Sequence, residues 1–146
     1  MSIEIKISKK LVSYKKAMIF LNKRVEEVKI DRNKEIIWIL EHPKTYTAGV
    51  SFNKDEILDK KIEVIKTNRG GKITLHNPNQ KIIYFVINLN KRKKDIRKFI
   101  NCIEKSIIEF LRIYKIKAKK DKKNIGIWVK NKKIAAIGLR VSRWVA

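Results

Sequence analysis

Ile3, Ile5 and Ile7 alternate with polar residues, the period of a strand with one buried face. Tyr14, Ala17, Met18, Leu21, Val25 and Val28 then recur at helical spacing, so a first strand leads into a helix. Asp31-Arg32-Asn33-Lys34 reads as a polar turn. Glu35 to His42 is apolar on both faces and stops at Pro43, which predicts a central strand. Thr45 to Lys61 has no clear period and predicts a loop over a site. Two short strands follow, Ile62–Lys66 and Lys72–His76, separated by Arg69-Gly70-Gly71. After the turn Asn77-Pro78-Asn79, Lys81–Leu89 is the most apolar strand of the chain, and these segments predict an antiparallel meander. Asp95 is placed to cap a second helix with apolar positions Ile96, Phe99, Ile100, Ile103, Ile107 and Leu111. Beyond the basic stretch Lys115–Lys123, Ile125–Val129 and Ile134–Val141 read as two strands joined by a tight turn at Lys130-Asn131-Lys132. Helices interspersed with hairpins predict an α+β fold: a mixed, mostly antiparallel sheet with two main helices.

The 146 residues suffice for one core and not two, so residues 1–146 are expected to form a single domain. The net charge of +23 is the largest compositional departure and raises the question of a polyanionic partner. Lysines are scattered over nearly every segment and arginines are sparse, which weighs against nucleic acid and favours attraction of acidic proteins. A single cysteine excludes an intrachain disulfide, and the first residues lack the apolar core of a signal peptide. A cytoplasmic protein is expected. The apolar run near Ile82–Ile87 is too short to span a bilayer, so no membrane segment is expected.

Candidate chemistry concentrates in Arg69-Gly-Gly-Lys-Ile-Thr-Leu-His76, where adjacent glycines let backbone approach a ligand closely, flanked by Arg69 and His76. A plain hairpin turn with an incidental arginine explains the same residues equally well. Lys133 precedes the small and apolar run Ile134-Ala135-Ala136-Ile137-Gly138 on a predicted strand, where desolvation would suit action on a thioester. Residue types alone favour the plainer reading, that Lys132 and Lys133 are two more surface lysines in a lysine-rich chain. His42 fits a packing role at a strand end better than that of a base. Cys102, between Phe99 and Ile103, is expected on the apolar side of the second helix as an inert packing residue. No metal-ligand spacing, nucleophile elbow or phosphate-binding loop is present.

Four separated segments together resemble the lipoyl(octanoyl) transferase family: Leu40-Glu-His-Pro43 with Tyr46-Thr47 and Gly49, Arg69 to Gln80, Gly126-Ile-Trp-Val129, and Lys133 to Trp144. The middle motif is the most specific, through its Arg-Gly-Gly start, Thr74, His76, Pro78 and Gln80. The resemblance implies a catalytic domain of the biotin and lipoate protein ligase type that needs no cofactor. Arg69, Gly70, Gly71, Lys72, Ile73, Thr74, Leu75 and His76, with Ala136, Ile137 and Gly138, would bind the acyl group. Lys133 would be the active-site lysine, lowering the pKa of a cysteine thiol that takes octanoyl from acyl carrier protein. A lysine of a lipoyl domain, in 2-oxoacid dehydrogenases or the glycine cleavage H protein, would then receive it as an amide.

Two departures from the family pattern stand out. Asn79 occupies a turn position where the family has glycine, which Asn tolerates if φ is positive. The family's catalytic cysteine is expected beyond Ala146, because Cys102 does not correspond to it; the domain is accordingly expected to be incomplete. Three other readings remain: an ATP-dependent lipoate or biotin protein ligase, a basic nucleic-acid-binding domain, and an inactive fragment.

Overall fold

A computed structural model describes residues 2–121 and 126–146. The chain divides into two compact units, Met1–Lys91 with Leu139–Ala146, and Arg92–Gly138. The fold is α+β, with two main helices and strands that pair mostly antiparallel.

In the first unit, β1 (Ile3–Ile7) pairs in parallel with β2 (Glu35–Leu40). The other edge of β2 carries β6 (Ile82–Val86) antiparallel, Ile36 opposite Val86 and Leu40 opposite Ile82. Helix α1 (Tyr14–Lys29) supplies Ala17, Leu21 and Val28 to a core shared with Ile36, Trp38, Leu40, Val86 and Val145. Its helical period thus meets the strand period of β2 on one buried face. Arg24 on the same helix is also buried, with its guanidinium on Glu4 at 2.6 Å and on the Lys34 carbonyl at 3.1 Å. These partners offset the cost of removing a charge from water.

A second sheet has β3 (Thr45–Ala48) at its centre, β4 (Val64–Lys66) parallel on one edge and β5 (Ile73–His76) antiparallel on the other. This corrects two expectations. The predicted loop from Thr45 begins with a strand whose last two residues, Thr47 and Ala48, are buried. The predicted meander does not form, because β4 and β5 each pair with β3 and β6 joins the other sheet. Asn79 does adopt a positive φ, 69°, and its N–H donates to Glu41 at 2.7 Å.

In the second unit, α2 (Ile96–Ile113) starts at Asp95, whose carboxylate accepts from the Lys98 N–H at 2.8 Å. A small antiparallel sheet contains β7 (Lys119–Lys120), β8 (Ile127–Val129) and β9 (Lys132–Ala135). Strand β7 was not expected from so basic a stretch. Lys120 reaches back to Glu104 of α2 at 3.3 Å. The predicted strand Ile134–Val141 is also corrected: β9 starts at Lys132 and ends at Ala135, and residues 136–141 are not in a strand. Residue 125, the predicted start of β8, lies outside the described residues.

Candidate active site

Strands β3 and β5 of the first unit place Thr47 opposite Thr74, and the β5 register brings His76 opposite Thr45. Thr47 is fully buried and becomes the junction of a polar network. Arg69 donates from Nη2 to the Thr47 carbonyl at 3.0 Å and to its Oγ1 at 2.8 Å, and from Nη1 to the Gly70 carbonyl at 2.9 Å. His76 Nε2 lies 3.3 Å from the same Oγ1. The loop carrying Arg69 is laced to the end of β3, since the Gly49 N–H donates to the Lys72 carbonyl and the Val50 N–H to the Arg69 carbonyl. A Cβ on Gly49 would stand 2.8 Å from the Gly70 carbonyl oxygen, 2.9 Å from Arg69 Nη1 and closer still to the Gly71 carbonyl. The close backbone approach therefore falls at Gly49, within the protein itself. Gly71 contributes a left-handed φ of 87° to the turn.

Around His76, Tyr14 stacks at 5.7 Å between ring centroids and His42 meets it edge-on at 5.5 Å. His42 is completely buried, with Nδ1 2.6 Å from the Val12 carbonyl and Nε2 2.9 Å from the Tyr84 hydroxyl. A carbonyl only accepts, so Nδ1 carries the proton and Nε2 accepts from Tyr84. His42 is a committed packing residue, as its position before Pro43 suggests. His76 Nδ1 has no hydrogen-bond partner among the described residues, although the side chain is buried.

Burial pushes the His76 pKa down to about 4, helped by the nearby His42 and Arg69. Burial likewise lowers His42, with the Val12 carbonyl opposing it. Both rings are therefore neutral at pH 7. The Tyr14 and Tyr84 hydroxyls are pushed up by burial, which keeps both protonated, while Arg69 opposes the shift. The result is one guanidinium and a neutral imidazole that both turn inward on Thr47, with His76 Nδ1 a buried nitrogen that has no partner among the described residues.

Of the other predicted site residues in this unit, Gly70, Ile73, Thr74 and Leu75 are partly buried. Lys72 is exposed and pairs with Glu56.

In the second unit, Lys133 is exposed, as the surface-lysine reading has it, and not desolvated. It sits opposite Trp128 across the β8–β9 pair, its ammonium 5.1 Å from the indole centroid. Ala136 and Gly138 are exposed and Ile137 is partly buried. Cys102 is exposed, not packed on the apolar side of α2. Sequence reasoning did not single out Tyr14, Tyr84 or Trp128 individually, and Thr47 entered only within a motif. A tyrosine inside the apolar strand 82–86 was the available signal, since a buried hydroxyl needs a partner. Among the described residues no group of His, Cys, Asp or Glu is placed to hold a metal, and no helix is long and apolar enough to cross a membrane.

The same fold occurs in lipoate-handling proteins of known structure. P. falciparum LipL1 in complex with lipoate superposes with a TM-score of 0.62 at 15% identity, covering 90% of this chain and 42% of that one. The bipartite lipoate protein ligase of Thermoplasma acidophilum gives 0.59 at 13% identity, over 88% of this chain and 52% of that one. These likenesses define the fold as that of a biotin and lipoate ligase-like catalytic domain. Residues 13–146 match the family model of the lipoyl protein ligase A/B catalytic domain, and the chain belongs to that family. Among relatives, the octanoyltransferase of Wolbachia sp. subsp. Brugia malayi is 39% identical over 95% of this chain and 70% of its own length. That of Bartonella bacilliformis is 40% identical over 99% of this chain and 66% of its own length. The chain thus spans about two thirds of the length of these relatives.

Proposed function

We propose that this chain belongs to an octanoyltransferase, which moves octanoyl from acyl carrier protein to a lysine of a lipoyl domain. The observation that carries the reading is 39–40% identity to octanoyltransferases over nearly the whole chain. The first unit adds support, in that Arg69 and neutral His76, the two ends of the proposed acyl-binding motif, converge on Thr47 of β3. We assign acyl binding to Arg69–His76 and to Ala136, Ile137 and Gly138.

A thiolate attacks the octanoyl thioester, forming a new thioester and releasing the carrier thiol. The acceptor lysine amine then attacks that acyl-enzyme, forming the amide, losing a proton and returning the thiol. Lys133, as an ammonium, stabilises the thiolate. We assign the thiol to the part of the relatives' length that this chain does not span. The +23 charge favours encounter with acidic carrier and lipoyl domains in the cytoplasm.

The test incubates the polypeptide purified from its native source with octanoyl-acyl carrier protein and a lipoyl domain, without ATP, and reads intact masses. One octanoyl group on the lipoyl domain is expected, and none after Lys133→Ala. Transfer only from free octanoate with ATP would make the protein a ligase instead. No transfer under either condition would overturn the reading.

A further inference from the structure

The neighbours of Lys133 form a constructed seat for its side chain. On β8, Trp128 stands directly opposite Lys133, and the register then shifts: Ile127 pairs with Ala135, leaving Ile134 as an extra residue on β9. Such a bulge rotates the adjacent side chains relative to a regular ladder. The aliphatic stem of Lys133 runs over Gly126, where a Cβ would stand 3.2 Å from both Cδ and Cε and 2.6 Å from the Ala135 carbonyl oxygen. Gly126 also holds a φ of 132°, which other residues rarely adopt. With the stem lying in the space that the missing Gly126 side chain leaves, the ammonium arrives over the indole face of Trp128 at 5.1 Å. An aromatic face attracts a cation through its quadrupole.

We propose that Trp128 is a positioning residue for Lys133, holding the ammonium in one place through the Gly126 floor, the bulge at Ile134 and the indole face. What the ammonium is held for rests on the octanoyl-transfer reading, whereas the seat itself does not. A flexible four-carbon side chain at an exposed position otherwise samples many rotamers, so a group that must stand beside a thiolate gains from being held. The arrangement also suits a lysine that acts as a cation, because an indole face attracts an ammonium more strongly than a neutral amine. The exposed position of Lys133 and its attachment to an aromatic ring are then two parts of one device.

The experiment has two arms. In the first, the lysines are reductively methylated with ¹³C and observed by NMR, the Lys133 signal being identified by its loss in Lys133→Arg. That signal is expected upfield of the bulk lysine signals through the ring current, and at the bulk position in Trp128→Leu. A Lys133 signal at the bulk position in the wild type, or one still shifted in Trp128→Leu, would overturn the seat. In the second arm, the transfer assay on the native polypeptide is expected to show kcat lowered about two- to fivefold in Trp128→Leu. KM for the acyl carrier should be unchanged, and Trp128→Phe should recover most of the rate. Unchanged kcat in Trp128→Leu would overturn the positioning role. Absence of transfer in the wild type would count against the octanoyl-transfer reading and leave the NMR result standing by itself.

Discussion

Acidification should weaken the first unit through His76. Its pKa is about 4 in the folded protein against an ordinary 6.5, because burial and the neighbouring His42 and Arg69 disfavour the imidazolium. A depressed histidine contributes stability that is fully present above pH 6.5 and is lost as pH falls toward 4. The unfolded chain binds the proton first, and the folded state is left behind. The full difference corresponds to about 3 kcal/mol, of which about 2 kcal/mol is already lost at pH 5. Two measurements check this. The chain contains only two histidines, so ¹⁵N-detected imidazole titration assigns both, and His76 should titrate near pH 4 rather than 6.5. Urea unfolding followed through the His42 resonance, in the same unit, should then show a loss between pH 7 and pH 5 that is about 2 kcal/mol smaller in His76→Gln. Carboxylates such as Glu41 contribute equally to both proteins and cancel in that comparison. Equal pH dependence in wild type and variant would refute the reasoning, as would a His76 that titrates at an ordinary value.

Two further substitutions probe the same network. Gly49→Ala would drive a Cβ into the Gly70 and Gly71 carbonyls and Arg69 Nη1, so the loop carrying Arg69 should detach from β3, seen as fast amide exchange at Gly49 and Val50. Thr47→Val keeps the shape but removes the hydroxyl shared by Arg69 and His76, and should cost about 1–3 kcal/mol in urea unfolding with little change at β1 and α1.

Elements of five or more residues were legible from the residues alone, β1, α1 and α2 by their period and β2 and β6 by their continuous apolar runs. Pairing was not, because period fixes a face and not a neighbour. Thr45–Ala48 escaped notice because it is only four residues long and its alternation misleads: Tyr46 and Ala48 are its apolar positions, yet the strand's partners bury the polar Thr47 completely. The network around Thr47 was hidden for the same reason, since it exists only once β3 lies against β5. Cys102 was misplaced by a step along the helix: it lies one residue before Ile103, and 100° per residue carries it off the apolar stripe onto an exposed side. Arg69, His76 and Lys133 could be named in advance because they sit in motifs. Their surroundings could not: the indole beside the exposed Lys133 is in place only once β8 lies against β9.

The first unit is stitched from two stretches of chain. Val145 is buried in its core, and residues 144–146 exchange backbone hydrogen bonds with Ile87 and Leu89. Leu139–Ala146 thus behaves as a ligand tethered to residues 1–91 by the intervening segment 92–138. The tether supplies an effective concentration for that docking. A single proteolytic cut within 92–138 would abolish that advantage. Docking of Leu139–Ala146 would become bimolecular, and the integrity of the first unit would then depend on protein concentration.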